Sequence, residues 1–150
     1  MIKIICVGKI KEQYLKDAIN EYLKRLSKYT KIDIIELPDF SYDLKKTLET
    51  ERDYMLKSIK ENDYNILLDI EGNSFNSIEF ANNLDKIRNN YSNINFIIGG
   101  SYGVHDDIKR IVNERISFSK LTFPHQLFRV ILLEQIYRSF KILNNETYHK

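Results

Sequence analysis

"INFIIGGSYG", residues 94–103, runs from the most apolar stretch of the chain into a cluster of glycines at 99, 100 and 103. A short continuous apolar run ended by glycine reads as a strand buried on both faces, and such strands belong to parallel sheets covered by helices on either side. The glycines then read as a tight strand-to-helix turn, in which positive φ and close backbone approach are tolerated.

The segments on either side alternate in the same way. "IKIICV" (2–7) and "KIDIIEL" (31–37) read as strands, stopped by Gly8 and Pro38. Between them, residues 13–26 place Tyr14, Leu15, Ala18, Ile19, Tyr22, Leu23 and Leu26 at helical spacing. Residues 44–60 read as a charged amphipathic helix on Leu44, Leu48, Met55, Leu56 and Ile59. "YNILLDI" (64–70) reads as a strand followed by the turn "EGNS", and Asn76 with Glu79 forms a capping-box pattern opening a helix through about Arg88. A short helix after His105, a strand over 115–119 and a long helix over 124–143 complete the chain. The expected fold is one α/β domain over 1–150, a mostly parallel sheet with helices on both faces.

Composition sets the outer limits. A chain of 150 residues with 43% hydrophobic content can bury a real core. One cysteine, Cys6 in an apolar run, gives no disulfide framework and points to a reducing, cytoplasmic compartment. No signal-peptide pattern and no membrane-length apolar run is present. The formal charge of +2 excludes a strongly basic tail but leaves room for a basic face.

In open parallel sheets ligands lie beyond the carboxyl ends of the strands. That rule selects "DIEGNS", "GGSYG" and "SKLTFPH" as loops that could line one crevice. The glycine turn suits either an anion at a helix N-terminus or no ligand at all; neither GxGxxG nor GxxxxGK[ST] is present. "FSKLTFP" (118–124) offers free backbone groups beside aromatic rings, which suits a flat heterocycle with a polar chain. It also suits a plain connector with Thr122 near a helix cap and Pro124 in the first turn. His105 reads as a helix-start residue and His125 as a surface or capping group, while Glu134 and Arg138 form an i,i+4 pair. No Cys/His cluster has metal-ligand spacing, so no metal is expected. The last helix is apolar over far more than one stripe, from Leu127 to Leu143, which reads as burial against a second subunit.

"FIIGGSYG", "SFSKLTFPHQLFRVILLEQIYRSFKI", the closing "YHK" and the opening "IKIICVGKIKEQYLKDAINEYLKRL" together resemble the RlmH family of SPOUT methyltransferases, in order and over essentially the whole chain. The resemblance implies a C-terminal deep trefoil knot, a rare exception to unknotted topology. It also implies a homodimer, S-adenosylmethionine as cofactor, and methylation of N3 of a pseudouridine in a stem-loop of large-subunit (23S) ribosomal RNA, within the ribosome. Carried over residue by residue, cofactor binding falls on Leu68, Gly99, Phe118, Ser119, Lys120, Leu121, Thr122 and Phe123. The catalytic candidates are His149, Tyr148 and Arg138: either His149 is the general base with Tyr148 as orienter or stacking partner, or Arg129 or Arg138 stabilises the anion instead. The segment between Pro38 and the second helix is shorter than the family's usual one, Leu121 stands where methionine is usual, and Asn145 stands where glycine often precedes the tail. A rival from another class is a non-catalytic RNA- or ribosome-binding module on the same fold; turnover of the cofactor separates the two.

Overall fold

The computed structural model describes residues 1–150. Strands β1 (Ile2–Val7), β2 (Ile32–Leu37), β3 (Tyr64–Ser74), β4 (Ile94–Ile98) and β5 (Glu114–Ser117) form one sheet in the order β2-β1-β4-β3-β5. All its pairings are parallel. Helices α1 (Gln13–Leu26), α3 (Ser77–Arg88) and α5 (His125–Leu143) cover one face; α2 (Leu44–Ser58) and α4 (Asp106–Ile111) cover the other.

The pleat divides the core. Along β1, Ile2, Ile4 and Cys6 face the three-helix layer, while Ile5 and Val7 face the two-helix layer. Every residue of β1 and β4 is buried, as central strands require. Each buried Ile, Leu or Phe here contributes about 1.5–3 kcal/mol relative to exposure. The capping box at α3 forms as the sequence indicates: Asn76 Oδ1 accepts from Glu79 N at 2.8 Å, and Glu79 Oε1 accepts from Asn76 N at 2.9 Å.

Three expectations are corrected. "EGNS" is not a turn: β3 runs on to Ser74 through a bulge, because Leu68 and Asn73 both pair with Ile116. Gly72 is required there by close approach, since a Cβ would stand 2.6 Å from the Arg115 carbonyl carbon. In α2 the buried face is Thr47, Glu51 and Met55, whereas Leu44 and Leu56 are exposed. The helix thus turns two polar residues inward instead of its leucines. Finally, α5 lies between α1 and α3 against the sheet, with Leu132, Leu133, Ile136, Tyr137 and Phe140 buried within the chain. Much of its apolar breadth is therefore used inside one subunit, and breadth alone does not demand a partner.

No helix is long and apolar enough to cross a membrane.

Candidate active site

The carboxyl ends of β3, β4 and β5 open onto a cavity of about 430 Å³, within the usual range for small-molecule sites. Its walls take Leu68 from β3, Gly99 from the glycine turn, and Phe118, Ser119, Leu121, Thr122 and Phe123 from the segment before α5. Seven of the eight residues proposed from the sequence for the cofactor therefore meet at one cavity; the exposed Lys120 does not line it. Ile70, Ile98, Phe128, Ser101, Asp69 and His125 also line it, so apolar walls carry a few hydroxyls, one carboxylate and one imidazole.

The loop over 117–124 holds its shape by local bonds. Ser117 Oγ donates to the Ser119 carbonyl at 3.1 Å, and Ser119 Oγ accepts from Leu121 N at 2.9 Å. The hydroxyls thus replace ladder bonds that an irregular segment cannot make. Phe118 stacks edge-on to Phe80 at 5.4 Å and leans on Phe128 at 5.2 Å, which anchors the loop in the three-helix core. At Gly99 a Cβ would stand 2.6 Å from the Gly103 carbonyl oxygen. That residue is glycine because the turn folds back upon itself, so a substitution there damages the turn before it fills the cavity.

The tail is built back onto its own helix. Asn145 takes φ 54°, Asn145 N donates to Ile142 O at 3.1 Å and Glu146 N to Lys141 O at 2.9 Å, which is a Schellman cap made with asparagine. Glu146 then accepts from Tyr29 Oη at 2.8 Å and Lys141 Nζ at 2.9 Å. The cap turns Tyr148 onto the Tyr137 ring, centroids 5.0 Å apart, with its hydroxyl donating to Glu134 Oε1 at 3.1 Å. Arg138 pairs with Glu134 and lies 4.8 Å over the Tyr148 ring, and its Nη1 stands 3.1 Å from His149 Nδ1. Burial, then the Glu134 carboxylate, pushes the Tyr148 phenol up to about 12; it is a donor, not a base, at neutral pH. The hydrogen bond to Glu134 keeps Arg138 cationic.

Arginine can only donate. His149 Nδ1 therefore accepts, and the neutral ring carries its proton on Nε2. In this arrangement the imidazole presents a donor outward and can act as a base only after Arg138 releases it.

His149 lines a second cavity of about 530 Å³, with Phe75, Ile78, Ile131 and Gln135. This cavity shares Phe118 and Phe123 with the first. The structure thus gathers Arg138, Tyr148 and His149 together, and the cofactor candidates together, on opposite sides of a wall of phenylalanines.

Two charged residues the sequence reading misjudged or missed stand nearby. Arg129 is fully buried, and its guanidinium donates to Val7 O and Gly8 O, both at 2.7 Å, and to Glu36 Oε2 at 2.8 Å. It is committed to the end of β1 and is not available to stabilise a substrate anion. Glu51, 4% exposed, lies behind the glycine turn, where a Cβ on Gly100 would meet its Oε2 at 3.2 Å. The available signal was its spacing from Thr47 and Met55, at i−4 and i+4 on one face. His125 lies on the cavity wall, and burial followed by the Arg129 charge holds its imidazole below its ordinary value, hence neutral at physiological pH.

Burial, then repulsion from Asp39, lifts the Glu51 carboxyl from 4.5 to about 7. Below pH 4.5 both folded and unfolded forms are protonated and the burial is harmless. As pH climbs towards 7 only the unfolded carboxyl ionises readily, so stability falls across that window and then levels off. A Glu51→Gln variant is expected to match the parent at pH 4.5 and to exceed its urea stability at pH 8. An equal difference at both pH values would remove the ionisation from this account.

No group of three or more His, Cys, Asp or Glu side chains is arranged to hold a metal ion.

The fold and the glycine-turn cavity define a class. A family model described as "Predicted SPOUT methyltransferase" matches residues 1–149, and the chain belongs to that family of methyltransferases. Among its relatives is the ribosomal RNA large subunit methyltransferase H of Clostridium acetobutylicum, 49% identical over 158 residues and covering 99% of both chains. The protein of the same name from Caldicellulosiruptor saccharolyticus is 49% identical over 154 residues, covering 100% of both. A probable methylase family protein from Haemophilus influenzae Rd KW20 shares the fold alone, with TM-score 0.56 at 10% identity over 99% of this chain and 70% of that one.

Proposed function

We propose that this chain is an S-adenosylmethionine-dependent methyltransferase that modifies N3 of a pseudouridine in a stem-loop of large-subunit ribosomal RNA, as a cytoplasmic homodimer whose C-terminal part is knotted around the cofactor. The observation that carries it is the cavity itself. Full-length kinship with ribosomal RNA large subunit methyltransferases H coincides with loops that build an aromatic-walled, hydroxyl-bearing site beyond the strands. The residues present fit the cofactor: Leu68, Ile98 and Phe118 offer flat apolar surface for an adenine, while Ser101, Ser119 and Thr122 offer partners for a polar chain.

Bound there, the cofactor supplies an electrophilic methyl group. The chain's own task is to align the nucleophile and ease loss of the imide proton. Arg138, fixed by Glu134, and the Nε2–H of His149 would donate to the oxygens on which the imide anion spreads its charge, the imide proton passing to water. Tyr148, bonded to Glu134 and lying under the guanidinium, positions Arg138. The base must be presented unpaired to reach such a site.

Incubation of the protein with methyl-labelled cofactor and ribosomes, followed by nucleoside analysis, tests the reading. Methylated pseudouridine is the expected product. Cofactor binding without any transfer to ribosomes would instead establish the non-catalytic binding module. Thr122→Trp, at an exposed position on the cavity wall, is expected to abolish cofactor binding in calorimetry at unchanged Tm. His149→Ala is expected to slow single-turnover transfer roughly a hundredfold, the scale of one lost anion donor, while cofactor affinity and Tm stay put. An unaffected rate would take His149 out of the chemistry.

A further inference from the structure

The short segment after β2 carries a feature that neither the cavity nor the core uses. Phe40 stacks on Tyr42 at 5.5 Å and 15°, and leans on Tyr54 of α2 at 5.6 Å and 33°. Tyr42 and Tyr54 are exposed, at 44% and 37%. A ladder of rings left in water is unusual for a surface with no task. Lysines flank it: Lys46 Nζ lies 4.2 Å from the Tyr42 centroid and Lys57 Nζ 5.3 Å from that of Tyr54.

The charges nearby are not equivalent. Asp43 caps α2 by accepting from Lys46 N at 2.8 Å, Asp53 accepts from Arg52 Nε at 3.1 Å, and Arg52 also reaches Asp107 at 3.0 Å. Asp39, itself exposed, stands beside Gly8. Lys46 and Lys57 form no ion pair with any carboxylate. The Asp43 and Asp53 carboxylates are thus engaged by the cap and by Arg52, while the two ammonium groups, held over the rings, lack a carboxylate partner. Free cations next to stacked aromatic faces match a nucleic-acid strand, whose bases stack and whose phosphates take the lysines. The segment leaves the carboxyl end of β2, the end of the sheet onto which the cofactor cavity also opens.

We propose that Phe40, Tyr42 and Tyr54, with Lys46 and Lys57, form a stacking platform for unpaired nucleotides of the RNA beside the one to be methylated. This rests on the RNA methyltransferase reading above. It gives the shortened segment after Pro38 a role: a compact ring ladder instead of a longer loop.

The experiment measures filter binding of protein-free 23S rRNA, together with KM and kcat for methyl transfer to ribosomes. The Tyr42→Ala/Tyr54→Ala variant, altered only at exposed rings, is expected to weaken rRNA binding about tenfold or more, the scale of lost base stacking. It should raise KM to match while kcat and cofactor affinity hold. Tyr42→Phe/Tyr54→Phe should bind like the parent, since the ring faces remain. Lys46→Gln/Lys57→Gln should flatten the dependence of affinity on salt. Binding of protein-free rRNA within twofold of the parent in the alanine variant overturns the proposal, as does a loss seen with ribosomes alone, which would assign the rings to a ribosomal protein. If the parent itself transfers no methyl group, the enzymatic reading fails, while the rRNA binding comparison still decides the platform.

Discussion

An Arg129→Met variant is expected to lose about 3–5 kcal/mol of folding stability, the scale seen when one partner of a buried charged network is removed. Methionine keeps the volume and apolar stem but leaves the Val7 and Gly8 carbonyls without their donors. Each buried unsatisfied acceptor costs about 1–3 kcal/mol. The Glu36 carboxylate adds less, because it is a third exposed and water replaces part of the lost attraction. In a chain of this size that loss lowers Tm by roughly 10 °C or more. Arg129→Lys keeps the charge but not the fork that serves two carbonyls and a carboxylate at once, so only partial recovery is expected. Urea unfolding within about 1 kcal/mol of the parent would show that water satisfies the end of β1 without the guanidinium. Because Arg129 fixes the first turns of α5, the same variant should also bind the cofactor more weakly through the displaced 118–124 loop.

The parts of the fold legible in the sequence are those set by local rules. The apolar run at 94–98, the Asn76–Glu79 box and the βα alternation need only periodicity and capping chemistry, and the structure follows them. The parts that were not legible are set by neighbours distant in the chain. Gly72 looked like a turn glycine because nothing local reveals that the Arg115 backbone passes 2.6 Å from where its Cβ would be. Helix α2 buries Thr47 and Glu51 because its inner face meets the glycine turn and the end of β1, a contact invisible to an apolar count. Arg129 looked like a possible anion binder because sequence does not show that the Val7 and Gly8 carbonyls, at and just past the end of β1, wait for it 122 and 121 residues away. The candidate cavity was legible in its loops, through the rule about strand ends and the family resemblance. The phenylalanine wall that separates it from His149 was not, since it depends on how Phe118 and Phe123 turn.

That wall motivates the prediction with the sharpest readout: the tail serves the cavity of the other subunit. Within one chain His149, with Arg138 against its ring, lines the second cavity, while seven of the eight cofactor candidates line the first. On the walls of the two cavities lie Leu121, Ile70 and Ile78, all exposed, Leu121 at 70%. An apolar rim of this kind is stabilised by pairing with its own symmetric copy, at roughly 25 cal/mol per Å² before association costs. The Schellman cap holds the tail firmly on α5, so pairing near the rim would carry a preformed Arg138–His149 arrangement towards the partner. The decisive mixture contains two inactive proteins, Thr122→Trp with its cavity blocked and a chain truncated before Tyr148. Under random subunit exchange half the dimers are mixed, and each mixed dimer joins one open cavity to one intact tail on opposite chains. If the tail acts across the interface, about a quarter of the parent methyl-transfer activity is expected to return. If exchange is demonstrated and activity stays at the level of the separate variants, each tail works only on its own chain, and Phe118 and Phe123 must swing aside to let it reach the cavity.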